Sequence, residues 1–426
     1  MIIPNRPRAL RFLARTRPAL ILLGLAAVAT TAAVPASAST VASPVVGYTY
    51  VDGNTAPANT IDGFARHADS SLTPLAGSPF SAGGAGLGAG LASQGAIQVT
   101  PDGKYLLAVD AGSNQISVLR ITAGGVPVLT GQPVPSGGIT PVSVAVSRSG
   151  LVYVANQGNG GSGYSGFRLH PGGSLTPVAG STVTVPDGSG LGDVFFNAHG
   201  NHVIGTRTGT SLIDSFVVRP GGRLLAAHGS PYAGQGLGQL GAEFSPSRPS
   251  QLFVSNAHNG TGLGTISAYQ DAFSGHLTSI GSSPFADGQT APCWVEISHD
   301  GTYLFTVNTG SGNISSYAIK RNGSLVLIGS FAIKGGGANI DARLSPTAST
   351  CWSTVLACIS SPSSPSTAET SLKYPAHRPR CPPGPPRPPA SSTPRNDRPA
   401  PVRHEPSGAR ALGMDPALSA AMEFAC

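Results

Sequence analysis

Three ionisable residues occupy equivalent points of an internal repeat: Glu243, Glu296 and Arg343, spaced 53 and 47 positions apart. Two carboxylates and a guanidinium form an acid–base set. One carboxylate can take a proton from water while the guanidinium steadies the oxyanion that develops on an attacked carbonyl. The same set can also be an ion-pair network lining a solvated channel, with no chemistry attached. Gln98, Asp193 and Asp341 fall on neighbouring points of the pattern and would line the same space. Either reading requires a scaffold that gathers residues a hundred positions apart.

The repeat supplies that scaffold. An apolar run, a tight turn, a second apolar run and then Asn or Asp recur along the chain, most clearly as IQVTPDGKYLLAVDAGSNQISVL from Ile97 and VEISHDGTYLFTVNTGSGNISSY from Val295. Aligned on the turn, the anchors are Thr100, Ser147, Asn197, Ser245, Ser298 and Ser345, at intervals of 47, 50, 48, 53 and 47 residues. Short strands and Gly-rich turns repeated at this period are the signature of an all-β propeller. Strand A precedes the anchor, and strand B follows an Asp-Gly turn such as Asp102-Gly103. Strand C is an Ile-Ser element, as at Ile116 and Ile314. Strand D is a Leu-Thr element, as at Leu72, Leu175 and Leu277, and often ends in Gly-Ser-Pro-Phe, whose aromatic would cover the outer edge of the blade. Strand A is innermost in a propeller. Counting back from each anchor, positions one and three are mostly apolar, so positions two and four should face the central channel. Those positions carry Gln98, Glu243, Glu296 and Arg343, and Asp193 and Asp341.

Six anchors start six blades. The segment from Val45 to Phe80 supplies strands B, C and D of one more, without a strand A before it. Seven blades are therefore expected, with the first completed by a strand from the other end of the chain. The stretches LASQGAIQVTPDGKYLLAVDAGSNQISVL from Leu91 and PCWVEISHDGTYLFTVNTGSGNISSY from Pro292 resemble secreted bacterial members of the lactonase-type (YVTN/lactonase-like) seven-bladed propeller family. That family includes 6-phosphogluconolactonases and is similar to muconate-cycloisomerase propellers. The resemblance spans roughly Val45 to Pro346. It implies a lactone hydrolase using His, Glu and Arg at the channel mouth, with Glu243, Glu296 and Arg343 as the catalytic set. At the blade-four position where the family would place Pro-His, this chain carries Leu191-Gly192-Asp193. A non-catalytic propeller that binds a small molecule, a glycan or a protein is the alternative.

The two ends differ from the middle. Residues 1–38 carry Arg6, Arg8, Arg11, Arg15 and Arg17, an apolar run from Ala19 to Val34 and the cleavage pattern Ala36-Ser37-Ala38. This is a secretory leader, so the mature bacterial protein is expected outside the cell, a monomer with no membrane contact once the leader is cleaved. Of the 26 Lys and Arg, five lie in the leader and eight after Pro346, which leaves 13 basic against 14 acidic residues between them. That balance excludes a nucleic-acid footprint at the level of net charge. Only Cys293 lies in the repeats, so no disulfide framework is expected.

After Pro346 the composition turns to Pro, Ser and Arg, and residues 347–426 read as a disordered tail. Its origin is legible. Back-translating Thr347 to Thr354 with G/C-rich codons and reading one base earlier yields D-G-E-H-L-L-V-D, which restores the repeat. Ser366 to Pro379 likewise becomes V-D-G-G-N-L-T-E-V-P-G-S-P-A, and Pro388 to Ser392 an apolar strand of the type A-G-I-V-V. A frameshift at codon 346 is therefore expected to have replaced the last blade, leaving a propeller over residues 45–346 without its ring closure.

Other motifs carry less. Gly86-Leu87-Gly88-Ala89-Gly90 lacks the strand–loop–helix context of a phosphate loop. His199 and His202 flank the A–B turn of blade four, an exposed place. Cys293 beside Trp294 reads as a buried thiol. With no G-x-S-x-G, H-E-x-x-H or paired CxxC pattern, neither a metal nor a cofactor is expected.

Overall fold

A computed structural model describes residues 43–332 and 339–345, together with the main chain of Thr354–Ser360 and Met422–Ala425. The leader and most of the tail lie outside the described residues. The described residues contain no helix. They form six blades, numbered one to six along the chain, and a further three-stranded sheet. Blade five is representative: Gln239–Phe244, Gln251–Asn256, Thr265–Asp271 and Leu277–Ser279 pair in that order, which is the expected A-B-C-D meander. Blade one has no strand A. Val45–Asp52, its strand B, forms the edge of that sheet.

Strand D differs from expectation. It is split in blades one to five, and a second piece of two residues returns to pair with the other end of strand C, as Phe285–Ala286 does with Thr265 and Ile266. The aromatic after Gly-Ser-Pro therefore belongs to the ladder rather than capping an edge. Phe80 shows why glycine stands opposite: a Cβ on Gly63 would meet its ring at 2.9 Å.

The anchors earn their position through the turn. Thr100 accepts a bond at its Oγ1 from Tyr105 N (3.0 Å) and donates to Asp102 Oδ1 (2.6 Å), while Gly103 N reaches Thr100 O (2.8 Å). Ser298, Asp300, Gly301 and Tyr303 repeat the arrangement. Gly103 and Gly301 sit at φ of +71° and +70°, where a side chain is strained. The terminal Asn or Asp of strand B is buried and bonds strand C of its own blade in several of them: Asp110 to Ser117, Asn256 to Ser267 and Asn308 to Ser315. In blade four the polar pair becomes ionic, Arg207 forking onto Asp214 with two bonds of 2.6 Å.

Neighbouring blades are joined by a recurring contact from a strand B side chain to the next blade's C–D hairpin. Tyr50 Oη donates to Gly125 O, Gly172 N to Tyr105 Oη, Tyr153 Oη to Gly222 O and Gln251 Nε2 to Arg321 O. In blade four the link is His202, whose ring nitrogens meet Asp271 Oδ2 (2.7 Å) and Phe273 O (3.1 Å). These links place all the A–B turns and C–D hairpins on one face. The core between the blades mixes aliphatic side chains with aromatics such as Tyr153, Phe167, Phe253 and Tyr317, and strand B of blades two to six is buried along most of its length, as in Leu106–Val109 and Leu151–Ala155. A fully buried Leu or Val contributes about 1.5–3 kcal/mol.

After blade six, Asn339–Leu344 takes the strand A position beside Pro292–Ile297. Thr354–Ser360 pairs antiparallel with it, and Met422–Ala425 adds in parallel, unlike any pairing in the six blades. These two strands are the described part of the stretch expected to be disordered.

Candidate functional site

The innermost strands are built to re-aim their first side chains. The residue seven before the anchor is left-handed in blades three to six: Thr140, Gly190, Gly238 and Ala291, at φ of 53°, 59°, 73° and 53°. A register shift follows at once, between Pro141 and Ser143, Leu191 and Asp193, Gln239 and Ala242, Pro292 and Trp294. Such a bulge turns the strand and redirects a side chain. It aims Ser143 and Asp193 at one another: Ser143 Oγ donates to Asp193 Oδ1 (3.1 Å), and Ala242 N to Asp193 Oδ2 (3.2 Å).

Glu296 and Arg343, on adjacent inner strands, are brought together. Arg343 Nη1 donates to Glu296 Oε1 at 2.5 Å, and Leu344 N to Glu296 Oε2 at 3.2 Å. The Glu296 side chain is buried, while the Arg343 side chain as a whole is 53% exposed. Glu243 lies on the next strand. Ile297 N points at its carboxyl, and its buried Oε2 has no partner. Asp341 completes the group, its Oδ1 accepting from Ala342 N (2.7 Å).

Four carboxyl groups thus surround one guanidinium, and they do not all ionise at neutral pH. Burial pushes Asp193 up to about 8 and Asp341 up to about 6. Glu243 is raised well above the carboxylate range by burial and then by the charge of Glu296. Burial raises Glu296 too, against the opposing pull of Arg343. The guanidinium is held charged, chiefly by Glu296. The result is a set of buried carboxyls whose hold on protons is strengthened to different degrees beside a fixed positive charge, which suits general acid–base chemistry.

Gln98 reaches the edge of this group: its Nε2 and Asp193 Oδ1 lie 3.3 and 3.4 Å from the point where a Cβ on Gly95 would stand. Gln98 also borders a cleft of about 380 Å³ at the A–B turn face, lined also by Ala145, Arg148, Phe195, Asn197 and His199 of blades three and four. Phe195, expected on the channel-facing parity, also leans on the neighbouring blade, edge-on to Phe244 at 5.6 Å. Trp294 packs into the core between inner strands, with Leu240, Ala342 and Leu344. His202 is buried rather than exposed, in the Asp271 pair. Cys293 is a buried thiol as expected, raised by that burial. Gly86–Gly90 folds onto Asn54, whose Oδ1 accepts from Leu87 N at 2.9 Å. Among the described residues no cluster of three metal-ligating side chains occurs.

Sequence reasoning missed Gln94, in the loop from blade one to blade two. Its side chain reaches across the ring: Nε2 donates to Ala242 O (3.3 Å) and Val295 O (3.2 Å), and Oε1 accepts from Val295 N (3.0 Å). Its own N–H donates to Gly192 O at 2.9 Å. These partners immediately precede Glu243, Glu296 and Asp193, so one glutamine ties together the strands that carry three of the carboxylates. The available signal was a lone amide in an otherwise Gly/Ala-rich loop.

An all-β propeller with an acid-lined centre is the class these features define. The chain belongs to the lactonase, seven-bladed β-propeller family, whose model matches residues 57–202 and 246–346. Among solved structures it is similar to a candidate 6-phosphogluconolactonase of Bacteroides uniformis, at 20% identity and a TM-score of 0.57 over 70% of this chain and 85% of that one. It is also similar to the periplasmic gluconolactonase of Pseudomonas aeruginosa, at 17% identity and a TM-score of 0.55 over 67% and 80%. At these identities the likeness shows the fold. No curated protein matches the sequence.

Proposed function

We propose that the chain is an exported hydrolase of cyclic esters, with Glu243, Glu296 and Arg343 as its working groups. The observation that carries this reading is the buried Glu243, its Oε2 without a partner, next to the Glu296–Arg343 pair. Glu296, kept ionised by the guanidinium, takes a proton from water as the oxygen attacks the ring carbonyl. The half-exposed Arg343 offers its free N–H groups to the oxyanion. As the ring C–O bond breaks, Glu243 gives its proton to the departing oxygen, and a hydroxy acid leaves. Proton transfer from Glu296 to Glu243 restores the starting state. Glu243→Gln and Glu296→Gln, assayed on a panel of sugar lactones and simple lactones, should each lower kcat at least 100-fold. Unchanged turnover on every lactone removes the catalytic assignment.

A second reading, a non-catalytic propeller that binds a small molecule, glycan or protein, is favoured by Asp193. It stands where the family places His, and both its oxygens are already engaged. Binding without turnover by both wild type and the Gln variants supports this version.

The reading includes export by the 1–38 leader and a seventh blade closed in the unshifted frame. The bare edge of blade one at Val45–Asp52, and the parallel strand at Met422–Ala425, both support a one-base slip at codon 346. Resequencing the gene there decides it: a continuous frame with no slip ends the idea.

A further inference from the structure

The near-neutral charge of the propeller hides a segregation between its two faces. The loops on the B–C and D–A side hold no Lys or Arg among the described residues; Asp187 is exposed in one of them, whereas Asp110 and Asp287 at this end are buried. Every described Lys and Arg outside the channel residue Arg343 and the buried Arg207 lies at the opposite end, in or beside an A–B turn or C–D hairpin. Arg219 and Arg223 bracket the hairpin of blade four, Lys320 and Arg321 open that of blade six, and all four are exposed. Acidic residues at this end are few. Asp102 is paired with Lys104, Asp271 with His202, and Asp300 is bonded within its own turn. Asp69 is engaged by Ser71.

Between the two cationic hairpins stands the hairpin of blade five, and at its tip is Phe273, 93% exposed. Its position is fixed from below, because Phe273 O bonds His202 and the hairpin's Gly275 O accepts from Ser215 Oγ at 2.7 Å. Leu225, 53% exposed, adjoins Arg223. None of these hairpin residues lines the cleft beside Gln98, and cations on the hairpins either side of a third match a broad, planar polyanion better than a strand lying in a channel. An aromatic held outward between paired cations suits the headgroup boundary of a bilayer, where charges meet lipid phosphates and the ring enters the acyl edge.

We infer that this face docks onto an anionic lipid bilayer, with Phe273 as the inserted side chain and Arg219, Arg223, Lys320 and Arg321 as the lipid-phosphate contacts. The inference revises the expectation of a mature chain with no membrane contact. It is independent of any lactone chemistry, because the channel groups take no part.

The test is sedimentation of the full chain with vesicles of phosphatidylcholine alone or containing 30% phosphatidylglycerol, at low and high salt. Binding is expected to the anionic vesicles only, and to weaken as salt rises. Each cation near the surface is worth about five-fold in partitioning, so neutralising all four by Ser should cost roughly 10²–10³-fold. Phe273→Ser should cost about ten-fold, and Asp187→Asn on the other face should change nothing. These sites are exposed, and circular dichroism confirms folding. As a second readout, Phe273→Trp should emit at shorter wavelength when anionic vesicles are added. Three results overturn the inference: equal binding to neutral vesicles, no binding to either, or capture by soluble heparin that competes fully while Phe273→Ser has no effect. The last would make the face a site for a dissolved polyanion.

Discussion

Asp193→Asn is the most discriminating single change, because it separates the charge of the buried carboxyl from its shape. The amide can keep both contacts, its oxygen accepting from Ala242 N and its NH2 facing Ser143 Oγ, which already accepts from Val194 N. What it removes is titration. The carboxyl moves from 3.8 in the unfolded chain to about 8 in the fold. Between those values the native state binds one more proton than the unfolded state, so wild-type stability falls as pH rises through that window. A displacement of about four units corresponds to a ceiling near 6 kcal/mol. Structural relaxation and water entry around a buried charge reduce this to roughly half.

Wild type and Asp193→Asn should therefore unfold with nearly equal free energy at pH 4.5. At pH 8.5 the variant should lead by about 3 kcal/mol, or roughly 6 °C in Tm for a domain of this size. Urea titrations at several pH values, followed by tryptophan emission, measure the difference. A gap that does not change with pH, or a wild type that gains stability above pH 6, refutes the reasoning. Either result would mean that Arg343 stabilises the ionised form more than burial destabilises it.

Three other changes test separate parts of the molecule. Arg207→Met leaves Asp214 buried against the Tyr164 hydroxyl and should cost about 3–5 kcal/mol, whereas Arg207→Asn with Asp214→Ser rebuilds the Asn256–Ser267 pattern and should recover most of it in urea melts. The hydrogen bond to Asp271 raises His202 above 6.5, so its contribution is fully present below pH 6.5 and is lost as pH rises through the folded value. His202→Gln should thus show its largest deficit at pH 5–6 and a smaller one at pH 9. Gln94→Ala removes three side-chain bonds and should cost about 3 kcal/mol, with amide exchange accelerated selectively at Ala242 and Val295.

The strands were legible because each blade repeats local chemistry. A hydroxyl anchor, an Asp-Gly turn and a terminal Asn read the same way in sequence as they bond in space. The Glu296–Arg343 pair was legible for a related reason: counting back from the anchor crosses regular strand, and the bulges lie at the far end of the count. Parity alone does not give the tilt of a side chain towards the next blade, so the packing of Phe195 and Trp294 escaped it. The two-residue return of strand D was hidden by its length. His202 was misplaced because its partner, Asp271, belongs to the next blade, 69 residues away, at no fixed spacing from it.

Gln94 and the basic face were illegible for a deeper reason. Both are properties of the curved array of blades, in which residues with no sequence relation become neighbours. A loop glutamine can reach Val295, 201 positions away, only once blades two to six curve round a common axis. The same curvature places every A–B turn and C–D hairpin on one side, so cations scattered at intervals along the chain sum into a single field. Net charge, which averages the two faces, cancels the quantity that matters for association. In a propeller, charge is therefore better counted by connection type than along the chain. That count separates a B–C and D–A side without described cations in its loops from the basic A–B and C–D side before any side chain is placed.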